Sequence, residues 1–113
     1  MFSPRLNNYV RYAADHGRFA ATDPAANHAA YDSIQREFRE LARNGEGGLL
    51  FDLYDHENPE VQVWAAGHTL EIDEARALSK LEQLQHAEIP HVSTAAEYTI
   101  LEWKAGNLRF LPR

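Results

Sequence analysis

Residues 50–72, laid over residues 81–103 at a shift of 31 positions, match where a packed pair of helices needs them to match. Leu50 falls on Leu81, Leu53 on Leu84, Glu57 on Glu88, Pro59 on Pro90, Val61 on Val92, Ala65 on Ala96, Leu70 on Leu101 and Glu71 on Glu102, while Ile72 meets the bulky Trp103. A period near thirty, with a proline-marked turn between two apolar stretches, is the pattern of stacked helical hairpins, because one hairpin cannot cover its own apolar face. Such arrays usually need three or more units, so residues 1–45 are assigned the missing outer layer and cap. The expected organisation is one all-α domain over 1–113: N-terminal capping helices to residue 45, two hairpins over 46–106, and a tail over 107–113. A chain of 113 residues is long enough to hold one core of its own.

Local signals agree with helices throughout. Ser3-Pro4, Asp23-Pro24 and Asn58-Pro59 each place a capping side chain before a proline, the arrangement that starts a helix. Gly17, Asn44-Gly45 and Gly106-Asn107 follow periodic stretches and are expected to end them in a left-handed residue. Leu6, Tyr9, Val10, Ala13 and Ala14 form one helical stripe, and Tyr31, Ile34, Phe38, Leu41 and Ala42 a second. Shorter helices are expected at about 46–55, 59–71, 74–86 and 90–105, with no strand apart from a short edge piece within Leu108-Arg109-Phe110-Leu111-Pro112.

The run from Leu49-Leu50 and Leu53 through Asn58-Pro59 and Val61 to Ala65-Ala66 and Leu70 resembles a HEAT-like repeat. The chain as a whole resembles a small bacterial family known as domain of unknown function 2019. The resemblance implies a short right-handed α-α superhelix of about six helices and says almost nothing of activity. It departs from the repeat pattern at Gln62 and Ser93, where a basic residue commonly follows the valine.

Composition removes several function classes. Without cysteine there is no disulfide, thiolate metal site or cysteine nucleophile. No apolar run is long enough for a signal peptide or a membrane span, so the expected location is the cytoplasm, with no membrane partner. The net charge of -6 is uneven: residues 46–104 carry twelve acids against Arg76, Lys80 and Lys104. That surface repels phosphate backbones and attracts basic proteins, which excludes nucleic acid as the expected ligand.

In the helix after Pro59 one arc carries Glu60, Trp64, Gly67 and Glu71, and the 31-residue shift sets His91, Ala95, Tyr98 and Glu102 beside it. Glu60, Trp64, Glu71, His91, Tyr98 and Glu102 are therefore the candidate protein-binding residues, aromatic anchors among carboxylates that suit a basic partner. The alternative is that Trp64 and Tyr98 are edge-of-core aromatics covered by the N-terminal helices or the tail. Asp32, Arg36, Arg39 and Arg43 make a charged stripe on the second helix, either solvated, with Asp32 supporting Arg36, or a basic docking ridge. His56, Glu57 and Glu60 at one turn, with Glu88 and His91 at the next, are the sole candidate for chemistry, a metal-dependent hydrolase. HExxH, a phosphate-cradling glycine loop and a nucleophile elbow are all missing from the sequence, so no reaction, metal or cofactor is expected. The expected function is protein binding, of the kind by which a small acidic immunity protein covers a basic toxin. The alternatives are an adaptor or structural subunit that forms a homodimer, and the enzyme.

Overall fold

The computed structural model describes residues 4–109, and every regular element among them is helical. Helix α1 spans Pro4–Phe19, α2 Pro24–Arg43, α3 Pro59–His68, α4 Glu74–Gln85 and α5 Val92–Lys104, with a 3-10 helix over Gly47–Asp55 between α2 and α3. The Ser3 cap and the apolar tail from Phe110 onward lie outside the described residues.

The helix starts follow from capping chemistry. The Asp23 carboxylate accepts from the amide of Ala26, and the Asn58 side chain from the amide of Glu60, each just before a proline at the first helical position. Asp73 does the same for Arg76 at the start of α4. At the ends, Gly45 and Gly106 take the left-handed conformation that closes α2 and α5. Gly17 does not end its helix. It lies inside α1, which runs on to Phe19, and a Cβ placed on it would stand 2.8 Å from Cγ of Glu60. The glycine lets α1 approach α3 rather than turning the chain.

Helix α3 is the hub. It packs against α1, α4, α5 and the 3-10 helix, while α1 packs on α2 and α4 on α5. Val61, Val63, Ala65, Ala66, Gly67 and His68 are all buried, so apolar residues surround the axis, as a helix covered on several sides requires. The amphipathic α1 and α2 bury Leu6, Tyr9 and Ala13 against Ile34, Phe38 and Leu41. Arg5 donates to the buried carboxylate of Glu37 at 3.0 Å, joining the two helices near their far ends.

Leu50 and Leu81, Leu53 and Leu84, Val61 and Val92, and Ala65 and Ala96 are buried in both copies of the 31-residue match. Glu57 and Glu88 are exposed in both and Glu71 and Glu102 half-buried in both, whereas other positions diverge. Leu70 is buried, whereas Leu101 stands 60% exposed. The first copy opens with a 3-10 helix, and the second with a full α-helix. Asn58 and Pro59 cap and begin α3, yet Pro90 precedes α5, which starts at Val92 after His91 has taken a left-handed φ of 66°. Without a capping side chain at position 89, Ser93 is recruited instead: its hydroxyl accepts from the amide of Ile89 and donates to the carbonyl of Leu84. Among the described residues no helix is long and apolar enough to cross a membrane.

Candidate functional site

Three residues of α3, Glu60, Trp64 and His68, follow one another at intervals of four and so lie on one face of the helix. That face is turned toward α1 and α2. His16 meets the Trp64 ring edge-on at 5.1 Å between centroids, Tyr31 meets it at 5.6 Å, and His68 lies tilted at 5.5 Å. Beneath them Phe38 stacks flat on the His68 ring at 4.1 Å, and Tyr9 approaches its edge. Five aromatic partners from three helices thus converge on one side of α3.

His68 is fully buried and its ring is bonded at both nitrogens. Gln35 presents Oε1, a pure acceptor, at 2.7 Å from Nε2, so Nε2 carries the proton. Nδ1 then accepts from the Tyr9 hydroxyl, also at 2.7 Å. Burial first, and the Arg39 charge second, together lower the imidazole pKa to about 3. Burial also raises the Tyr9 phenol well above its ordinary value. The chain Tyr9–His68–Gln35 is therefore neutral throughout the physiological range, a polar thread through an apolar core with each member satisfied.

Nearer the surface, His16 Nδ1 donates to Glu60 Oε1 at 2.8 Å, and Trp64 Nε1 reaches the same oxygen at 3.3 Å. The carbonyl of His16 accepts from the Asn27 side chain at 2.7 Å, which anchors this end of α1 to α2. A cavity of about 120 Å³ opens beside this pair, between α3 and α5, lined by His16, Glu60, Trp64, Gly67, Ala95 and Thr99 among others. Its walls are largely apolar. The Thr99 hydroxyl donates to the carbonyl of Ala95 at 2.7 Å, which leaves its proton engaged with the helix backbone rather than with an imidazole. A carboxylate and an imidazole meet here, but the lining residues include no activated nucleophile.

The residues singled out in the sequence divide between two places. Glu60 and Trp64 are half-buried in the cleft just described, with the N-terminal helices over them. Ala95, from the second arc, lines the same cavity as Gly67 from the first, and Glu60 shares a neighbouring groove with the exposed His91. Tyr98 stands on the outer side of α5, 62% exposed. Glu102 is half-buried and accepts from the Asn107 side chain at 3.0 Å. Glu71 faces a broad open groove with Glu74, Trp103 and Lys104.

Two expected pairings do not form. Asp32 pairs with His28, at 3.5 Å, while Arg36, Arg39 and Arg43 are exposed and Arg43 turns to Glu40. Among the described residues no three His, Asp or Glu side chains are placed to hold a metal ion, so His56, Glu57, Glu60, Glu88 and His91 do not gather into the site their spacing suggested. Glu60 is turned away toward His16, and His56 Nδ1 accepts the Asn58 amide.

His16 and His68 carry the geometry of the cleft, although sequence reasoning gave neither a role. A signal existed for His68, which continues the Glu60–Trp64 face by one further turn. For His16 the sole hint was the adjoining glycine, whose meaning depends on the distant Glu60. No family model, curated protein or solved structure matches this chain.

Proposed function

We propose that this chain is a HEAT-like helical protein-binding module that docks a basic protein surface against the outer face of α5. The observation that carries the reading is the pair Tyr98 and Leu101, one turn apart on α5 and 62% and 60% exposed, the two most exposed large apolar side chains of the described residues. Glu97 and Glu102 flank them on the same helix. Burying a phenol and an isobutyl group between two carboxylates favours a partner with apolar contacts rimmed by Lys or Arg. The position fits a stacked-hairpin array, because α5 is the last described helix and its outer face is where a further unit of the array would pack. An immunity-type inhibitor that covers a basic toxin has this chemistry, and so does an adaptor.

A second copy suits the face less well than a basic partner does. A two-fold contact centred on Tyr98 and Leu101 brings the Glu97 carboxylate of each copy toward the Glu102 carboxylate of the other. Calorimetric titration of the purified chain with the basic proteins encoded beside its gene tests the reading. Binding that weakens with added salt, and by about tenfold or more in Tyr98→Ala and in Leu101→Ala, is the expected result. Binding indifferent to both substitutions, or no binding at low salt, overturns it. A dimer in sedimentation that the same substitutions dissolve would establish the adaptor alternative instead.

A further inference from the structure

The chain packs as two units. Helices α1 and α2 form one, tied to each other by Arg5 on Glu37 and by the Asn27 side chain on the His16 carbonyl. The 3-10 helix and α3 to α5 form the other, held from within by Tyr54 on Thr69 and by the Trp103 indole of α5, which donates to Glu74 of α4 at 2.6 Å. The link between them is the exposed Asn44–Gly45 turn, where Gly45 has a φ of 74°. Three side-chain hydrogen bonds cross the seam between the units among the described residues, and each ends on an imidazole: Tyr9 and Gln35 on His68, and His16 on Glu60. The rings meet there in the same way, Tyr9 and Phe38 on His68, and His16 and Tyr31 on Trp64. The fully buried His68 thus takes two of these bonds and two of these ring contacts.

We propose that the α1–α2 hairpin is an acid-released flap: a proton on His68 lets it swing away from α3 about the Asn44–Gly45 link while the 3-10 helix and α3 to α5 keep their packing. The inference is independent of the docking face on α5, which belongs to the unit that stays folded. A charged imidazole in this position is shut away from solvent, and the charge that faces it from α2 is the Arg39 guanidinium, of like sign. From α1 it faces the Tyr9 phenol, kept neutral by burial, and α5 adds the uncharged Ala95 and Thr99 to the cavity wall beside it. On α3 itself Glu60 lies two turns away on the same face, engaged by His16. Protonation also turns Nδ1 into a donor, so the Tyr9 hydroxyl that donates to it must turn round. Released, the ring reaches water and takes the proton readily. Burial first and Arg39 second hold the closed-state pKa at about 3, against about 6.5 for a free imidazole, so opening is favoured about thirtyfold at pH 5 and not at all well above pH 6.5. The outer bond works the other way: a proton on His16 strengthens its hold on Glu60, so release depends on the inner imidazole.

Incorporation of 5-fluorotryptophan gives the full chain one fluorine resonance at the seam, from Trp64, and one within the α4–α5 pair, from Trp103, assigned by the loss of the latter in Trp103→Phe. Urea series at pH 7.5 and pH 5 follow both folded resonances in one sample. At pH 5 the midpoint of the Trp64 resonance should fall by about 1 M or more while that of Trp103 moves much less, so that the gap between them widens. In His68→Gln, with the fold confirmed by circular dichroism at pH 7.5, the gap should no longer widen. Coincident loss of both resonances at pH 5 marks a single cooperative unit and overturns the proposal. A gap of the same width at both pH values overturns it as well, and neither result needs the variant. Widening that persists in His68→Gln refutes His68 as the trigger.

Discussion

Acid should destabilise this fold through His68 in particular, and by an amount that can be worked out. His68 is neutral in the folded chain down to a pKa of about 3, held there by burial first and the Arg39 charge second, while in the unfolded chain it titrates at about 6.5. The unfolded state therefore binds a proton that the folded state refuses, and stability falls as pH drops through the window between those two values. At neutral pH and above the contribution is absent. At pH 5, about 1.5 units below the unfolded value, the loss is about 2 kcal/mol at 1.36 kcal/mol per unit. Carried to the bottom of the window it approaches 5 kcal/mol, comparable with the whole stability of many small domains. The figure at pH 5 hardly depends on where the folded value lies, provided it is well below 5.

Urea unfolding at pH 7.5, 6 and 5 measures the effect, where about 2 kcal/mol moves the midpoint by about 1 M. Other histidines and the carboxylates also contribute, so the decisive quantity is the difference from His68→Gln, which keeps an acceptor for Tyr9 and a donor for Gln35 but cannot titrate. The variant should start lower at pH 7.5, having lost the stack on Phe38, and then lose about 2 kcal/mol less than the parent on going to pH 5. Parallel pH profiles for the two proteins would refute the assignment of His68 as a buried neutral imidazole.

Gly17→Ala should cost about 1–3 kcal/mol in the same assay, since the new methyl group meets Cβ, Cγ and Cδ of Glu60 at 3.1 Å or less and drives the carboxylate off His16. Gly67→Ala should instead raise stability by about 0.5–1 kcal/mol, because the added Cβ finds room in a helix interior and only ordinary contact with Thr99. Trp64→Ala should lower stability by roughly 3 kcal/mol in thermal or urea melts, the ring being packed against His16, Tyr31 and His68. Tyr54→Phe should cost about 1 kcal/mol: it removes a 2.6 Å bond to the Thr69 hydroxyl, which keeps its own donation to the Ala65 carbonyl.

Helix positions were legible in the sequence because they depend on contacts a few residues apart. Asp23 and Asn58 cap the helices that follow them, Gly45 and Gly106 close α2 and α5, and the stripes through Leu6 and Ile34 bury as their spacing requires. What the stripes could not convey is which helix covers which face. The Glu60–Trp64 arc reads as free surface when α3 and α5 are considered alone, since the rings of α1 and α2 that pack on Trp64 lie outside residues 50–103. It is covered by His16 and Tyr31, 48 and 33 positions earlier in the chain, and only because Gly17 allows the backbones close enough for His16 to meet Glu60.

The N-terminal helices thus have a larger part than that of an outer layer. They place His16 on Oε1 of Glu60, and they set Tyr31 and His16 against the indole that lines the adjoining cavity. A half-buried carboxylate with no donors would be costly to keep charged. Glu60 takes two donors on Oε1, one from α1 and one from its own helix. The residues that satisfy this carboxylate are consequently among those that hold α1 and α2 against α3, so loosening that contact should cost packing and hydrogen bonding together.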